Sequence, residues 1–242
     1  MGAGRTALLA GAATAAVEVA HLAPAAARLG PVRRRFCRGL AGYGTAGHVA
    51  LTFDDGPDPA GTPRFLDRLD ALGVRATFFV LGSMLERAPE LGRELAARGH
   101  EVAVHGWYHR PQWRPSPGRD ARELRRTVEA VTALCGRRPV WYRPPYGVLT
   151  AGLLAAAREL ELRPVLWTAW GKDWTTRATP ASVYRTLRPD LCGGATVLLH
   201  DSDCTSAPGA WRSALGALPL VADHCGRLGL ELGPLRDHGL TG

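Results

Sequence analysis

Lysine is all but missing from this chain of 242 residues: Lys172 is the only one, so 29 of the 30 basic residues are arginine. With 22 acidic residues the formal net charge is +8, and a basic surface attracts nucleic acid, anionic lipid or acidic polymers. The arginines are nevertheless scattered, apart from Arg33, Arg34 and Arg35. Beside so much alanine and glycine, such scatter reads as compositional bias rather than a binding stripe. Zinc-finger and RNA-binding signatures are missing as well, which argues against a nucleic-acid partner. The five cysteines, Cys37, Cys135, Cys192, Cys204 and Cys225, form no CxxC pair, and their odd number excludes a fully intramolecular disulfide set. Most are expected to be small buried hydrophobes. No fixed-period repeat or long low-complexity tract is present.

A long unbroken hydrophobic run is also missing. Arg5 precedes "TALLAGAATAAV", but this stretch soon meets Glu18 and His21 and is too short for a membrane span. It also reads as a signal-peptide core, with "APAAA" offering small residues for cleavage, or as an amphipathic helix leading into a basic linker. A span here, with an arginine excess after it, would place the rest of the chain in the cytoplasm, at odds with an exported role. These readings stay open, with a cell-envelope or membrane-associated place favoured over a soluble cytoplasmic one. Membrane association is expected, if anywhere, through this segment.

What is present suits one sizeable core. Hydrophobic residues make up 46% of the chain, and α/β barrels of about 200–250 residues commonly form one domain. The expected division is an N-terminal apolar segment and basic linker, residues 1–47, and a catalytic domain, residues 48–242, working as a monomer. From residue 48 onward, "HVALTF", "VRATFFV", "EVAV", "PVLW" and "TVLL" read as strands, being short, β-branched or aromatic, and bounded by polar or turn residues. Helices are expected between them. Thr62 and Pro63 resemble an N-cap and first-turn proline before Phe65, Leu69 and Leu72, closed by Gly73. Asp120 and Glu123 resemble a capping box ahead of Leu124, Val128, Val131 and Cys135, and Thr150 and Thr179 start two more helices. This βα alternation predicts a mainly parallel α/β sheet. Polar clusters at the C-terminal ends of the strand-like runs favour a (β/α) barrel.

Those clusters carry the chemistry. In "VHGWYH", His105 and His109 are four apart, which suits two imidazoles on one metal if the segment makes a helical turn. A carboxylate would complete a His2Asp face with positions open for water and substrate. Asp54 and Asp55, in "LTFDDGPDP", offer one. An Asp-Gly turn is the plain alternative, but a buried acidic pair repels unless a cation or arginine relieves it. Arg143, in "YRPPYG", and a metal would supply both.

"TFDDGP", "HGWYH", "RPPYG", "DW" at 173–174 and "LLHD" stand in the order and approximate spacing of the five motifs of the polysaccharide deacetylase family, the NodB-homology carbohydrate esterases of family 4. The chain resembles that family over about residues 48–235. The resemblance implies a single-domain distorted (β/α) barrel that removes acetyl groups from N-acetylated amino sugars by metal-assisted hydrolysis. It implies that Asp55, His105 and His109 hold a divalent metal, most often zinc, with cobalt or another first-row ion as alternatives. By the same resemblance Asp54 is the general base and Arg143 orients it. The Tyr146 backbone N–H stabilises the oxyanion. His200 protonates the leaving amine and Asp173 tunes it, while Val197 and Leu198 line the acetyl-methyl pocket. Trp174 is placed near the sugar.

The implied partner is an acetylated carbohydrate. Two other readings of the same residues are a deacetylase of small amides or O-acetyl esters, and a carbohydrate-binding domain without turnover. His21, His48, His100, His224 and His238 are expected to be structural. The sequence departs from the family at Gly106, where Ser or Thr is common, and at Thr168, where an acidic residue is frequent. "HDSDCTSAPGAW", residues 200–211, is longer and more polar than a simple connection needs, and reads most simply as a flexible surface loop.

Overall fold

The computed structural model describes residues 14–110 and 113–240. Eight strands, all paired in parallel, make one curled sheet: β1 (His48–Asp54), β2 (Thr77–Leu81), β3 (Glu101–Gly106), β4 (Trp141–Tyr142), β5 (Arg163–Pro164), β6 (Ala169–Trp170), β7 (Thr196–His200) and β8 (Glu231–Gly233). The order across the sheet is β5-β4-β3-β2-β1-β7-β6, with β8 also pairing β1. β5 and β6, consecutive in the chain, form its two ends and do not pair, so the barrel is distorted and incomplete.

Strand periodicity sorts the side chains. Along β1, Val49, Leu51 and Phe53 join a core with Phe65, Leu66 and Leu69 of the helix Thr62–Leu72. Alternate residues point the other way, and Ala50 packs inside with Phe79, Ala103, Trp141 and Val165. All seven residues of β1 are buried, as expected for a parallel strand covered on both faces.

Three expected strands, "HVALTF", "EVAV" and "TVLL", lie in β1, β3 and β7, and "VRATFFV" forms a strand only from Thr77. "PVLW" does not: its ladder stops at Pro164, the Leu166 N–H bonds to Leu40 O at 2.9 Å, and the Val165 and Leu166 carbonyls accept from Arg143. β4, β6 and β8, two or three residues each, are too short to show a period in the sequence.

Two expected caps are also corrected. Gly61, not Thr62, is the N-cap of Thr62–Leu72; the Thr62 hydroxyl accepts from the Asp58 N–H at 2.7 Å and donates to Asp201. The helix Pro117–Cys135 starts from Ser116, so Asp120 lies inside its first turn, fully buried, and is no cap. Thr150 and Thr179 do cap their helices, the latter in a box with Ser182. Of the cysteines only Cys225 is fully buried; Cys37 and Cys135 are half-buried, Cys192 and Cys204 exposed, and none of the five is disulfide-bonded.

Residues 14–22 are helical, followed by a 3-10 helix Ala23–Arg28 and two short helices, Gly30–Phe36 and Arg38–Ala41. This arm lies against the β5–β6 seam: Leu40 O bonds to Leu166, Arg33 Nη2 donates to Trp167 O at 2.8 Å, and Gly42 O accepts from the Thr196 hydroxyl at 2.6 Å. The expected apolar stretch is partly outside the described residues. Among the described residues no helix is long and apolar enough to cross a membrane.

The remaining histidines pack as structural groups. His48 and His238 share an Nδ1···Nδ1 hydrogen bond of 2.8 Å, His224 meets Tyr184 at 3.1 Å, and His21 is buried. His100 Nδ1 accepts the Ala76 N–H at 3.2 Å, a bond that protonation removes. Burial, with Arg75 adding repulsion, pushes His100 down to about 4. A histidine with a depressed folded-state pKa adds stability above its unfolded value of about 6.5 and loses it as pH falls toward the folded value. His100→Gln should therefore flatten the fall in stability between pH 6.5 and 4.5, by up to about 1.4 kcal/mol per pH unit. Urea denaturation of both proteins across that range measures it; parallel curves would refute the assignment.

Candidate active site

β1 delivers both aspartates to one side. Asp54 closes the strand, and successive strand residues ordinarily face opposite ways. Asp55, however, has φ +80°, a left-handed conformation costly for a residue with a Cβ. That reversal turns the second carboxylate back beside the first. Gly56 follows for a steric reason: a Cβ there would come within 2.4 Å of Asp201 Oδ2.

β3 supplies the imidazoles, but not from a helical turn. Between β2 and β3 the register shifts so that Val80 pairs with Val104 and Leu81 with Gly106, leaving His105 at the irregularity. Such bulges re-aim side chains. The chain then bends through Trp107–His109, which brings the two rings to 5.2 Å. His105 Nδ1–H donates to Arg143 O at 2.8 Å, fixing the tautomer that leaves the Nε2 lone pair inward. His105 Nε2 and His109 Nε2 each lie 3.3 Å from Asp55 Oδ1.

These three side chains offer ligand atoms all within 4.8 Å of one another. Asp55 Oδ1 is buried without a hydrogen-bond donor, so a carboxylate oxygen and two imidazole nitrogens converge with nothing between them to bond. The donor set fits a divalent cation with positions left open. Burial alone would raise the Asp55 carboxyl, but the imidazoles crowded around it, His105 foremost with His200 and His109, outweigh it and hold it well below the usual carboxylate range. Burial pushes His109 down to about 4, favouring the neutral ring that a metal requires.

Asp54 is held differently. Arg143, fully buried, donates from Nη1 to Asp54 Oδ1 and to Thr52 Oγ1, both at 2.7 Å. Its Nη2 donates to Leu166 O at 2.9 Å, and its guanidinium lies 4.0 Å over the Phe79 ring. Across the sheet, Asp54 is in register with His200 of β7. His200 Nδ1 bonds to Asp173 Oδ1 at 2.9 Å, and its own N–H donates to Asp173 Oδ2 at 2.8 Å. Burial opposes a charge on His200, but the charge and hydrogen bond of Asp173, with Asp55 and Asp54 beyond, prevail and push it up to about 10. A cation held by Asp55 would offset part of that pull.

Asp54, His105, His109, Tyr146, Trp174, Leu198 and His200 line one cavity of about 330 Å³, and Asp55, Arg143 and Asp173 contact its lining residues His105, Asp54 and His200. Tyr146 sits in a 3-10 turn with φ +57°, its ring 4.4 Å from His109. Trp174 stacks on Trp170 at 4.5 Å and 18°. Val197 is the correction: it belongs to the outer core and does not line the cavity, because adjacent strand residues face opposite ways and Leu198 takes the inner side.

Residues 200–211 are built into the site rather than hung on the surface. Asp201 and Ser202 are fully buried, Ser202 Oγ donates to Asp58 Oδ2 at 3.0 Å, and Ser206 lines the cavity. Thr205, missed in the sequence, donates its hydroxyl to Asp55 Oδ2 at 2.7 Å. The excess length and polarity of the loop was its only signal. Gly106 sits at φ +118°, where any residue with a Cβ is strained, so the hydroxyl supporting the metal-ligand candidates comes from Thr205 across the cavity. Thr168 instead pairs with Thr196, whose N–H donates to its hydroxyl at 2.9 Å.

The polysaccharide deacetylase family profile matches residues 41–165. A chitooligosaccharide deacetylase of Bradyrhizobium sp. (strain ANU 289) is 36% identical over 198 residues, 77% of this chain and 88% of its own. The peptidoglycan-N-acetylmuramic acid deacetylase PdaC of Bacillus subtilis (strain 168) is 36% identical over 67% of this chain but only 34% of its own length. Among solved structures, the Bc1960 peptidoglycan N-acetylglucosamine deacetylase superposes with a TM-score of 0.77 at 27% identity, covering 84% of this chain and 94% of that one. Five sequence clusters, a parallel half-closed barrel and this match agree, and the chain belongs to the polysaccharide deacetylase family.

Proposed function

We propose that this protein is a metal-dependent hydrolase that removes acetyl groups from N-acetylated amino sugars within a glycan, with zinc the preferred ion. One observation carries the reading: Asp55, His105 and His109 converge on one point beside Asp54, and the Asp173-held His200 lines the same cavity. The relatives named as chitooligosaccharide and peptidoglycan deacetylases support the substrate class. Their named substrates also favour a place at the cell envelope.

An acetamide is a poor electrophile, and a divalent ion on Asp55, His105 and His109 would supply Lewis acidity to its carbonyl and to the attacking water. The residues of the chain do the rest. Asp54, oriented by Arg143, takes the proton of the attacking water. The Tyr146 N–H is the proposed donor to the oxygen that gains negative charge, a role that contributes about 2.7–4 kcal/mol where it has been measured. His200, kept protonated by Asp173, gives its proton to the nitrogen as the C–N bond breaks, so that a neutral amine leaves with acetate. Leu198 offers an apolar wall suited to the acetyl methyl.

Acetate release from N-acetylglucosamine oligomers should stop on chelation and return with zinc or cobalt. Asp54→Asn should lower kcat by about 10²–10⁴-fold; turnover indifferent to both treatments would reject the mechanism. Thr205→Val should weaken zinc affinity by about 10–100-fold, with Thr205→Ser close to the parent, because the hydroxyl orients Asp55. Competition against a chromophoric chelator reads this directly, and unchanged affinity in the valine variant would remove Thr205 from the site.

A further inference from the structure

A second cavity, of about 440 Å³, opens at the other end of the barrel. His100 and Glu101 stand where β3 begins, Arg137 and Arg138 in the turn that leads into β4, and Arg236 just beyond β8; all five line it. Because the strands run parallel, these positions lie at the opposite strand ends from Asp54 and His105. No residue lining this cavity also lines the one that holds Asp54 and His200.

The hydrogen bonds of His100 define what the cavity is missing. Its Nδ1 accepts the Ala76 N–H at 3.2 Å, which occupies the lone pair of that nitrogen and leaves the proton of the neutral ring on Nε2. Burial keeps the ring uncharged. The Nε2–H is buried too, and no acceptor reaches it, a condition that folded proteins rarely leave uncorrected. The missing atom is therefore an acceptor.

The guanidiniums set the sign of its charge. Arg138 Nη2 donates to Leu160 O at 2.9 Å and Arg236 Nη2 to Gly99 O at 2.8 Å. These bonds tether two of the arginines, yet each guanidinium carries five N–H donors. Arg137 is exposed and has no bonding partner among the described residues. Glu101 is the one carboxylate in the lining, and its Oε2 already accepts the Thr77 hydroxyl at 2.6 Å and the Arg236 N–H at 3.0 Å. Asp237, outside the lining, lies 3.8 Å from Arg236 Nε, an exposed pair of little strength. Three guanidiniums against one carboxylate leave the cavity positive, and a positive cavity concentrates anions. The donors also come from three separate segments. A carboxylate presents two oxygens in one plane, whereas a phosphate group presents three or more in diverging directions.

We infer that His100, Arg137, Arg138 and Arg236 form a second binding site, for a dianionic phosphate group, free or as a monoester. His100 Nε2–H donates to one oxygen and the arginines hold the others.

The zinc-loaded full-length protein, isotope-labelled in its histidine ring nitrogens, is titrated with sodium phosphate at slightly alkaline pH and followed by NMR. The His100 Nε2 signal should shift saturably, while sodium chloride at matched ionic strength leaves it in place. Arg137→Gln should weaken the binding about tenfold, the worth of one charge-assisted hydrogen bond, and Arg137→Lys should recover part of it. His100→Gln keeps an acceptor for Ala76 and an N–H for the ligand, so calorimetry should place it near the parent, with His100→Leu much weaker. Glycerol phosphate, titrated in parallel, separates the sources: tighter binding than phosphate marks a phosphomonoester metabolite, and weaker binding marks the free ion. A His100 signal that never moves, that chloride moves equally, or whose titration is unchanged in Arg137→Gln would overturn the inference. Shifts confined to His105 and His109 would also end it, by putting the anion on the zinc ion. Acetate release does not enter, so either outcome leaves the deacetylase reading where it stands.

Discussion

A guanidinium with no access to water sits at the centre of this molecule, and the arrangement of the site follows from what it requires. Arg143 is charged and completely buried, a state tolerated only where the charge is paired and every donor is matched. Asp54 provides the countercharge, Thr52 a hydroxyl, and Leu166 and Val165 their carbonyls. Removing either member of such a pair would strand the other inside the barrel, so Asp54 has little freedom to leave its position. The same arginine turns its own backbone carbonyl to His105 and so selects the imidazole tautomer. One residue thereby fixes the proposed base and one of the candidate metal ligands.

The sheet adds precision that side chains alone lack. Parallel register puts His200 beside Asp54, while the left-handed Asp55 and the irregular step at His105 turn two further groups inward. These are small backbone departures, each unfavourable by itself, and all lie where the polar groups meet. Regular strand geometry would have pointed Asp55 and Asp54 to opposite faces.

Much of this was legible in the residues. β1, β3 and β7 are long and apolar enough to be read directly, and the family resemblance carried by the five clusters gathers Asp54, Asp55, His105, His109, Arg143, Asp173 and His200 at one site. What escaped has physical causes. β4 and β6 are two residues each and are specified by their neighbours rather than by a period. The paired histidines need a bend after a strand, which the four-residue spacing does not distinguish from a helical turn. Val197 and Leu198 cannot share one wall, because neighbouring strand residues face opposite sides. Thr205 escaped because a hydroxyl in a polar loop carries no periodic signature; only the tertiary approach of residues 200–211 to Asp55 reveals it. The arm was illegible for a similar reason: alanine-rich helices announce no docking site, and its holds on the barrel include backbone carbonyls, Arg33 and the packing of Leu40.

The central strand draws its neighbours from far along the chain. β1 begins at His48, yet one of its pairings is with Glu231, while the seam between β5 and β6 is covered by Leu40. Such long-range pairings are slow to form because loop-closure entropy is lost before the contacts that reward it are made. As the chain is made, β2 follows β1 within a short stretch, but the other edge of β1 stays open until β7 covers Ala50–Asp54 and β8 then covers His48–Ala50.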